Sequence, residues 1–507
     1  PVSRARACGF GVIATIAPSP IEKDLVWVGT DDGLIQVTRD GGKKWQNVTP
    51  RGLADWSRVA QIDASATSAG TAYAAVDRHR LDDDRPYLYV THDFGKTWRA
   101  ATAGLPADGW VAVVRQDTVL PRLLFAGTSR GAFVSFDDGV HWQPLQLNLP
   151  TTGVNDLTIH GNDLVAATEG RSLWVLDDIS PLRHLGGSVV GNDILLPPAM
   201  AYRVGANQNR DTPLPLDEPR AFNPPAGAIL DYVLPAAVRG PVVLEIVDSK
   251  GQVVRSFRSD ETPKRPEASQ YFANDWLRAP SALPARPGHN RFVWDLRGPR
   301  PRALEYDYSI AAVPGADTPE LPQGIFVLPG TYQARLTADG QTVTQPLRVA
   351  MDPRVKTPQA DLLAQHEMYA AVSQALARVT DAQERIEEVS KRLKTLDGEL
   401  ADRPGSAALR DLAKKVAADL AGFGSAPGRR RAARGEDNLA AIAAVLTPLA
   451  TDLEGADRAP NAPQREAFDL YRKRLDAALA KWQALLNGEI RDLDRQARAA
   501  GLAPVVR

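Results

Sequence analysis

An eight-residue motif with the pattern S/T-x-D-x-G-x-x-W occurs three times in the first third of the chain. The copies begin at Thr38, Thr91 and Ser135, so successive starts lie 53 and 44 residues apart. Repeats of this length are typical of four-stranded β-propeller blades, which bury their apolar faces only by stacking on neighbouring blades. The motif therefore predicts consecutive propeller blades.

Three positions of each motif have a structural explanation. The Asp can accept hydrogen bonds from backbone amides of the turn that it opens, and the Gly suits a backbone with positive φ. The Trp can bury a large ring against neighbouring strands. We therefore assign structural roles to nine residues: Asp40, Gly42 and Trp45; Asp93, Gly95 and Trp98; Asp137, Gly139 and Trp142.

Changes along the sequence in the spacing of apolar residues predict a mainly β protein with an α-helical C-terminal region. Residues 1–186 contain strand signals for about four blades, and 187–225 form a Pro-rich linker. Short strands with turn signals over 226–352 predict an immunoglobulin-like β-sandwich. From Val372 onwards apolar residues recur every seven positions, so 353–507 are predicted to form an antiparallel helical bundle or coiled coil.

Composition narrows the function classes. The formal net charge of −1 gives no electrostatic support for nucleic acid binding, and no apolar run reaches the roughly 18 residues of a membrane span. The seven histidines lack zinc-ligand spacing, and no phosphate-binding glycine motif occurs. We expect no cofactor and no metal site.

The side of the blades opposite the motif turns is the predicted ligand-binding mouth. Turns between second and third strands, and connections between blades, share that side. The candidate catalytic carboxylates there are Asp31, Asp32, Asp83 and Glu169. The candidate ligand-binding residues are Trp56, Arg78, His79, Arg80, Trp110, Arg130 and Arg171. Such a mixture suits sugar stacking and hydrogen bonding, or a charged peptide.

Each candidate also has a structural interpretation. Asp31 and Asp32 precede Gly33 in a sequence that suits a hairpin turn. The run Asp82–Asp84 suits a solvated loop tip better than a calcium site. Trp56 and Trp110 could equally pack between blades.

Several segments resemble a known family. The segments 27–34, 86–89, 170–178 and 288–297, together with the three motifs, resemble large bacterial sortilin-like proteins with Asp-box (BNR) repeats, often labelled glycosyl hydrolases. The resemblance covers nearly the whole chain. It implies the C-terminal part of a longer secreted or periplasmic protein, with upstream blades or a partner chain completing the propeller.

The resemblance leaves several functions open. Asp-box propellers include sialidases, xyloglucan-cleaving hydrolases, sortilin-type peptide receptors and photosystem assembly factors. The arginine triad and Tyr–Glu pair of sialidases cannot be placed here. The leading hypothesis is non-catalytic binding of a protein, peptide or glycan at the mouth. The alternatives are a glycoside hydrolase that pairs Asp31 or Asp32 with Asp83 or Glu169, and an assembly factor whose helical tail docks a partner.

Overall fold

The computed structural model describes residues 11–185, 195–205, 225–234, 237–262, 282–308, 320–401, 403–424 and 438–506. The chain divides into two compact units. The first ends at Ala199 and also includes Asp231–Val233, and the second comprises the rest of Met200–Arg507. Among the described residues, no helix is both long and apolar enough to cross a membrane.

Four antiparallel sheets follow one another in the first unit, and strands adjacent in sequence are paired in each. Sheet 1 contains β1 (Ile13–Pro18), β2 (Val26–Thr30), β3 (Ile35–Thr38) and β4 (Gln46–Asn47). Sheet 2 contains β5 (Arg58–Ala64), β6 (Ala72–Arg78), β7 (Asp83–Thr91) and β8 (Arg99–Ala100). Sheet 3 contains β9 (Val111–Gln116), β10 (Leu124–Thr128), β11 (Gly131–Ser135) and β12 (Gln143–Pro144). Sheet 4 contains β13 (Val154–His160), β14 (Asp163–Thr168) and β15 (Leu173–Leu176), and helix α1 (Ser180–Leu185) follows it.

The three motifs form the same turn between the third and fourth strands of their sheets. In sheet 1 the Thr38 hydroxyl donates to Asp40 (2.9 Å), and the Gly42 and Lys44 amides donate to Thr38 Oγ1 and Asp40 Oδ1 (2.9 Å each). The same bonds recur, at 2.8–3.0 Å, in the turns that begin at Thr91 and Ser135. The Lys44 amide is the largest of the effects that lower the pKa of Asp40. The Asp side chain and the Gly amide therefore take part in the hydrogen bonds of the turn in all three copies.

The motif tryptophans differ from one another in burial. The indole Nε1 of Trp98 donates to the carbonyl of Val48 (2.6 Å), and that of Trp142 donates to Ala101 (2.8 Å). Each acceptor follows the fourth strand of the preceding sheet. The predicted burial is wrong for Trp45, which is 44% exposed because no described residue takes the place of Val48 or Ala101 beside it.

Side chains on the first strand of one sheet accept hydrogen bonds from backbone amides on the first strand of the next sheet. The Ile62 amide donates to Thr15 Oγ1 (3.3 Å), and the Val114 amide donates to Gln61 Oε1 (3.2 Å). These bonds join β1 to β5 and β5 to β9. The first strands of sheets 1–3 therefore lie side by side, and the edges of β5 and β9 are partly covered by polar side chains.

The second unit begins with β structure. The strands after α1 are β16 (Ala201–Arg203), β17 (Ala228–Leu234), β18 (Val243–Val247), β19 (Val253–Arg258), β20 (Gly288–Trp294), β21 (Asp307–Tyr308), β22 (Glu320–Leu321), β23 (Gly330–Ala338) and β24 (Gln341–Met351). The middle of β17, Asp231–Val233, belongs to the first unit. A five-stranded sheet has the order β16-β24-β23-β18-β19, and β16 runs parallel to β24 although it lies within the predicted linker. Most of that linker falls outside the described residues, and the immunoglobulin-like sandwich remains a prediction.

The C-terminal region is helical, as predicted. Its helices are α2 (Gln359–Leu400), α3 (Ala407–Ala421), α4 (Leu439–Glu454), α5 (Ala462–Leu485) and α6 (Arg491–Ala499), with a π-helical turn at Leu486–Ile490. Five heptad positions of α2 are at most 5% exposed: Val372, Val379, Ile386, Leu393 and Leu400. They belong to one core with residues of α3, α4 and α5, so the heptad face is covered within this unit.

Candidate ligand-binding site on the loop face

The loop face is the side of the first unit formed by the turns between second and third strands and the connections between sheets. Backbone hydrogen bonds join these two kinds of segment. The Trp56 amide donates to the carbonyl of Asp32 (2.9 Å), and the Ser129 amide donates to Trp110 (3.0 Å). The motif turns lie at the other end of the third strands. The candidate residues therefore share one side of their sheets.

Asp83 is fully engaged by neighbouring donors. It accepts hydrogen bonds from Arg78 Nε (3.0 Å), the Tyr87 hydroxyl (2.8 Å) and Arg85, whose Nε and Nη2 lie 2.8 and 2.9 Å from its two oxygens. The hydrogen bonds from Arg85, followed by those from Tyr87 and Arg78, hold the pKa of Asp83 well below its usual range. Asp83 therefore remains a carboxylate and cannot serve as a proton donor.

Beside this cluster, an imidazole stacks on an indole. The rings of His79 and Trp110 lie 4.8 Å apart with an interplanar angle of 23°. His79 Nδ1 lies 2.6 Å from Asp77 Oδ1, and Asp77 is 4% exposed. A buried carboxylate bound at Nδ1 fixes the orientation of the imidazole ring.

The first-sheet carboxylates have local roles. Asp31 Oδ1 accepts from the Val12 amide (2.7 Å), and Asp32 Oδ1 accepts from the Thr30 hydroxyl (2.5 Å). Asp32 is also only 4% exposed. These contacts fit the hairpin-turn interpretation of the pair.

The remaining candidates are spread over the face. Arg130 bonds Asp108 (2.5 Å) in a pair that is more than half exposed. Arg80, Glu169 and Arg171 are exposed. The structure thus gathers Arg78, His79, Asp83 and Trp110 into one cluster and leaves the others around it. Among the described residues there is no group of three or more potential metal ligands, including at Asp82–Asp84.

A groove between first strands was missed by sequence reasoning. It has a volume of about 360 Å³ and is lined by residues of β1 and β5 and by Arg115. The Arg115 guanidinium bonds Asp63 (3.3 Å) and Asp156 (3.0 Å), so it links sheets 2, 3 and 4. Burial raises the pKa of Asp63, against the effects of the Gln116 amide and Arg115. In the sequence these polar residues alternate with apolar ones, which is the pattern of any half-buried strand and does not indicate a groove.

Asp83→Asn is expected to loosen the loop over residues 78–87. An amide cannot pair with two guanidinium groups, so hydrogen exchange there should accelerate about tenfold at pH 7. Because the pKa of Asp83 is depressed, its stabilisation is present at neutral pH and is lost only as pH falls through the lowered value. Asp84→Asn, at an exposed neighbour, is the control. Equal exchange in the two variants would contradict the assignment.

Comparison with known proteins yields short or distant likenesses. No family model matches the chain. An oligoxyloglucan-reducing end-specific xyloglucanase of Emericella nidulans is 31% identical over 87 residues. The match covers 17% of this chain and 10% of that protein, so the chain spans only a small part of its relative.

Two solved structures illustrate the distant likenesses. YCF48 bound to D1 peptide has a TM-score of 0.26 at 18% identity, covering 33% of this chain and 52% of its own. The GH74 xyloglucanase from Xanthomonas campestris has a TM-score of 0.27 at 10% identity, covering 66% and 47%. TM-scores this low give no guide to a ligand.

Proposed function

We propose that the loop face is a ligand-binding surface of a blade-repeat protein that acts outside the cytoplasm, and that it binds a protein segment or a glycan without catalysis. The observation that carries this proposal is the His79–Trp110 stack beside the Arg78–Asp83 cluster. The stack offers a partly exposed aromatic surface. Its flanking charges suit hydrogen bonding to a polar ligand.

The state of the carboxylates favours binding over hydrolysis. A glycosidase needs one carboxyl group with a raised pKa as its acid and a second carboxylate across the scissile bond. Asp83 has the opposite shift, and its oxygens are occupied by donors. Asp32 is buried beneath its own turn. Neither member of that pair is placed to donate a proton to a sugar.

Binding is tested with a glycan array and a peptide library on the whole chain. For any ligand found, Trp110→Ala is expected to weaken affinity at least about tenfold, through loss of about 1.4 kcal/mol or more of stacking energy. Trp45→Ala is the matched control, because it removes an exposed indole from the motif side of the sheets. Equal effects of the two substitutions would argue against the loop face.

A glycoside hydrolase is the second candidate. It is favoured by the 87-residue similarity to the xyloglucanase of Emericella nidulans, whose name points to reducing ends of xyloglucan oligosaccharides as substrates to assay. Turnover that is abolished by Asp31→Asn or Glu169→Gln would replace the binding proposal with this one. Turnover that survives both substitutions would place the reaction elsewhere, for example near Asp63 and Asp156.

A further inference from the structure

A groove of about 480 Å³ lies in the second unit, beside the π-helical turn that follows α5. It is open to solvent, and we call it the α3–α5 groove. The residues that line it include Asp419, Phe423, Lys481, Leu485, Gly488 and Glu489. Grooves of this volume are typical of small-ligand sites, and π-helical turns inside helices frequently occur at functional sites. The side chains of the groove then determine which ligand it suits.

Two carboxyl groups are in contact in the α3–α5 groove. Glu489 Oε1 accepts a hydrogen bond from Lys415 Nζ (2.7 Å). This bond is the largest of the effects that lower the pKa of Glu489, and a hydrogen bond with Asp419 lowers it further. Neighbouring carboxylates repel each other unless a proton or a cation lies between them. Lys415 supplies one positive charge beside two carboxyl groups, so a second cation would be stabilised there.

The second oxygen of Glu489 lacks a donor when both carboxyl groups are ionised. Oε2 is shielded from bulk solvent, and no N–H or O–H group of the described residues bonds it in that state. Asp419 donates to Glu489 only while it holds a proton itself. Because Asp419 is exposed, its side chain can change rotamer. An ammonium group can then enter between the two carboxylates and donate to both, which satisfies the buried oxygen.

The end of α3 adds negative potential at the same place. Asp419 lies in the last turn of this helix, which ends at Ala421. The carbonyl end of a helix carries a partial charge of about −0.5, so it favours cations nearby. Lys481 also lines the groove and opposes a second cation. The residue is exposed, however, and its side chain is long enough to keep the ammonium group in water.

The rest of the groove has an apolar wall. Phe423 and Leu485 belong to it. The Phe423 ring contacts the ring of Trp482 edge-on, with 5.9 Å between the ring centres, and Trp482 is 5% exposed. This contact with a buried ring holds Phe423 in place. A Cβ built on Gly488 would meet nothing within 4 Å, so an alkyl chain has room beside this wall.

We propose that the α3–α5 groove binds an alkylammonium group. The ammonium lies between Asp419 and Glu489, and the alkyl chain packs against Phe423 and Leu485. A free amine and a lysine side chain of another protein both carry this group. A metal ion would leave the apolar wall unused, and the described residues hold no group of three or more metal-ligating side chains. The site belongs to the second unit, so this proposal and the loop-face proposal can fail separately.

Calorimetric titration of the whole chain at neutral pH and low salt tests the ligand class. Hexylammonium is expected to bind at least about tenfold more tightly than n-hexanol, which has the same chain without the charge. A peptide with one lysine and its Nε-acetylated form give the same comparison for a protein side chain. Binding of hexylammonium alone would indicate a free amine, and tighter binding of the lysine peptide would indicate a partner protein. Equal binding of hexylammonium and n-hexanol, or binding of no ammonium probe, would overturn the proposal.

Charge variants locate the bound ammonium group. Glu489→Gln and Asp419→Asn are each expected to weaken hexylammonium binding at least about tenfold, because each removes an anionic acceptor. Lys481→Gln should strengthen it about threefold, because a like charge is removed. Asp476→Asn is the control, since Asp476 lies on α5 in an exposed pair with Arg378. A general loss of structure cannot produce effects of opposite sign. Unchanged affinity in Glu489→Gln would refute the proposal.

A steric variant tests the apolar part of the site without changing its charge. Gly488→Leu places a side chain in the open space beside Gly488, within a helical backbone that tolerates one. It is expected to weaken hexylammonium binding at least about tenfold and to leave the melting temperature within about 2 °C of the parent. Unchanged affinity in the folded variant would show that the amine binds elsewhere. Ligand binding at the loop face should be the same in this variant and the parent.

Discussion

Asp117→Ala is expected to lower the free energy of unfolding of the first unit by about 3–5 kcal/mol. The Asp117 side chain is fully buried, and its oxygens accept from Arg183 Nε (2.9 Å) and Nη2 (2.8 Å) and from the Leu120 amide (2.7 Å). Arg183 belongs to α1, which follows sheet 4, whereas Asp117 directly follows β9 of sheet 3. Removal of the carboxylate leaves a nearly buried guanidinium without its anion and detaches α1 from sheet 3.

Urea unfolding followed by tryptophan fluorescence measures this loss. Asp108→Ala is the matched control, because it breaks another Arg–Asp pair of the same unit. In that pair, Asp108 with Arg130, the side chains are 67% and 53% exposed, and the expected loss is at most about 1 kcal/mol. A loss for Asp117→Ala as small as that of the control would show that burial does not determine the strength of these pairs.

Arg297→Ala is expected to lower the free energy of unfolding of the second unit by about 3–5 kcal/mol at neutral pH. Arg297 pairs with Glu454 of α4, and both side chains are more than 90% buried. The guanidinium also donates to the Gly324 carbonyl (2.7 Å) and lies 3.9 Å from the centre of the Phe326 ring. The substitution therefore leaves a buried carboxylate without its cation and opens a cavity beside an aromatic ring.

The pH dependence of this variant has a definite sign. Burial raises the pKa of Glu454, and Arg297 opposes that rise. In the variant the pKa rises further, so the folded protein binds a proton more readily than the unfolded chain. Stability is then greatest below the ordinary glutamate pKa and is lost as pH rises through the folded value.

The stability deficit of Arg297→Ala should therefore be larger at pH 8 than at pH 5, and Glu454→Gln in the same chain should reduce it. Arg302→Ala is the control, since its pairs with Asp381 and Glu384 are exposed. A deficit that does not change with pH would contradict the assigned role of Glu454.

Local interactions explain which features were predictable. The turn of each motif depends on hydrogen bonds between residues at most four positions apart, so the turn could be predicted from sequence. The helices of the C-terminal region follow from apolar periodicity for the same reason. The side of the sheets on which Trp110 and Asp83 lie could also be predicted, because alternate turns of an antiparallel meander lie on the same side.

Side-chain pairing was not predictable, whether the partners are near or distant in sequence. Asp83 was predicted as one carboxylate of a catalytic pair, but its oxygens accept hydrogen bonds from Arg78, Arg85 and Tyr87, which lie two to five positions away. The groove at Arg115 depends on two aspartates more than 40 positions away, one on each side in the sequence. No pattern within a single strand indicates such a bridge.

Neighbours a few positions apart fix the repeated turns, the order of β and helical regions and the side of the sheets on which the candidate residues lie, so these features follow from the sequence alone. Which carboxylates are held by guanidinium groups and which imidazole is fixed by a buried aspartate are properties of the folded chain. They depend on burial and on the positions of charged side chains, some of which lie on different sheets, as at Arg115. Trp45 and Trp142 illustrate the difference: the same motif position is 44% exposed in one and 4% exposed in the other, because within the described part of the chain a preceding sheet lies beside Trp142 and none lies beside Trp45.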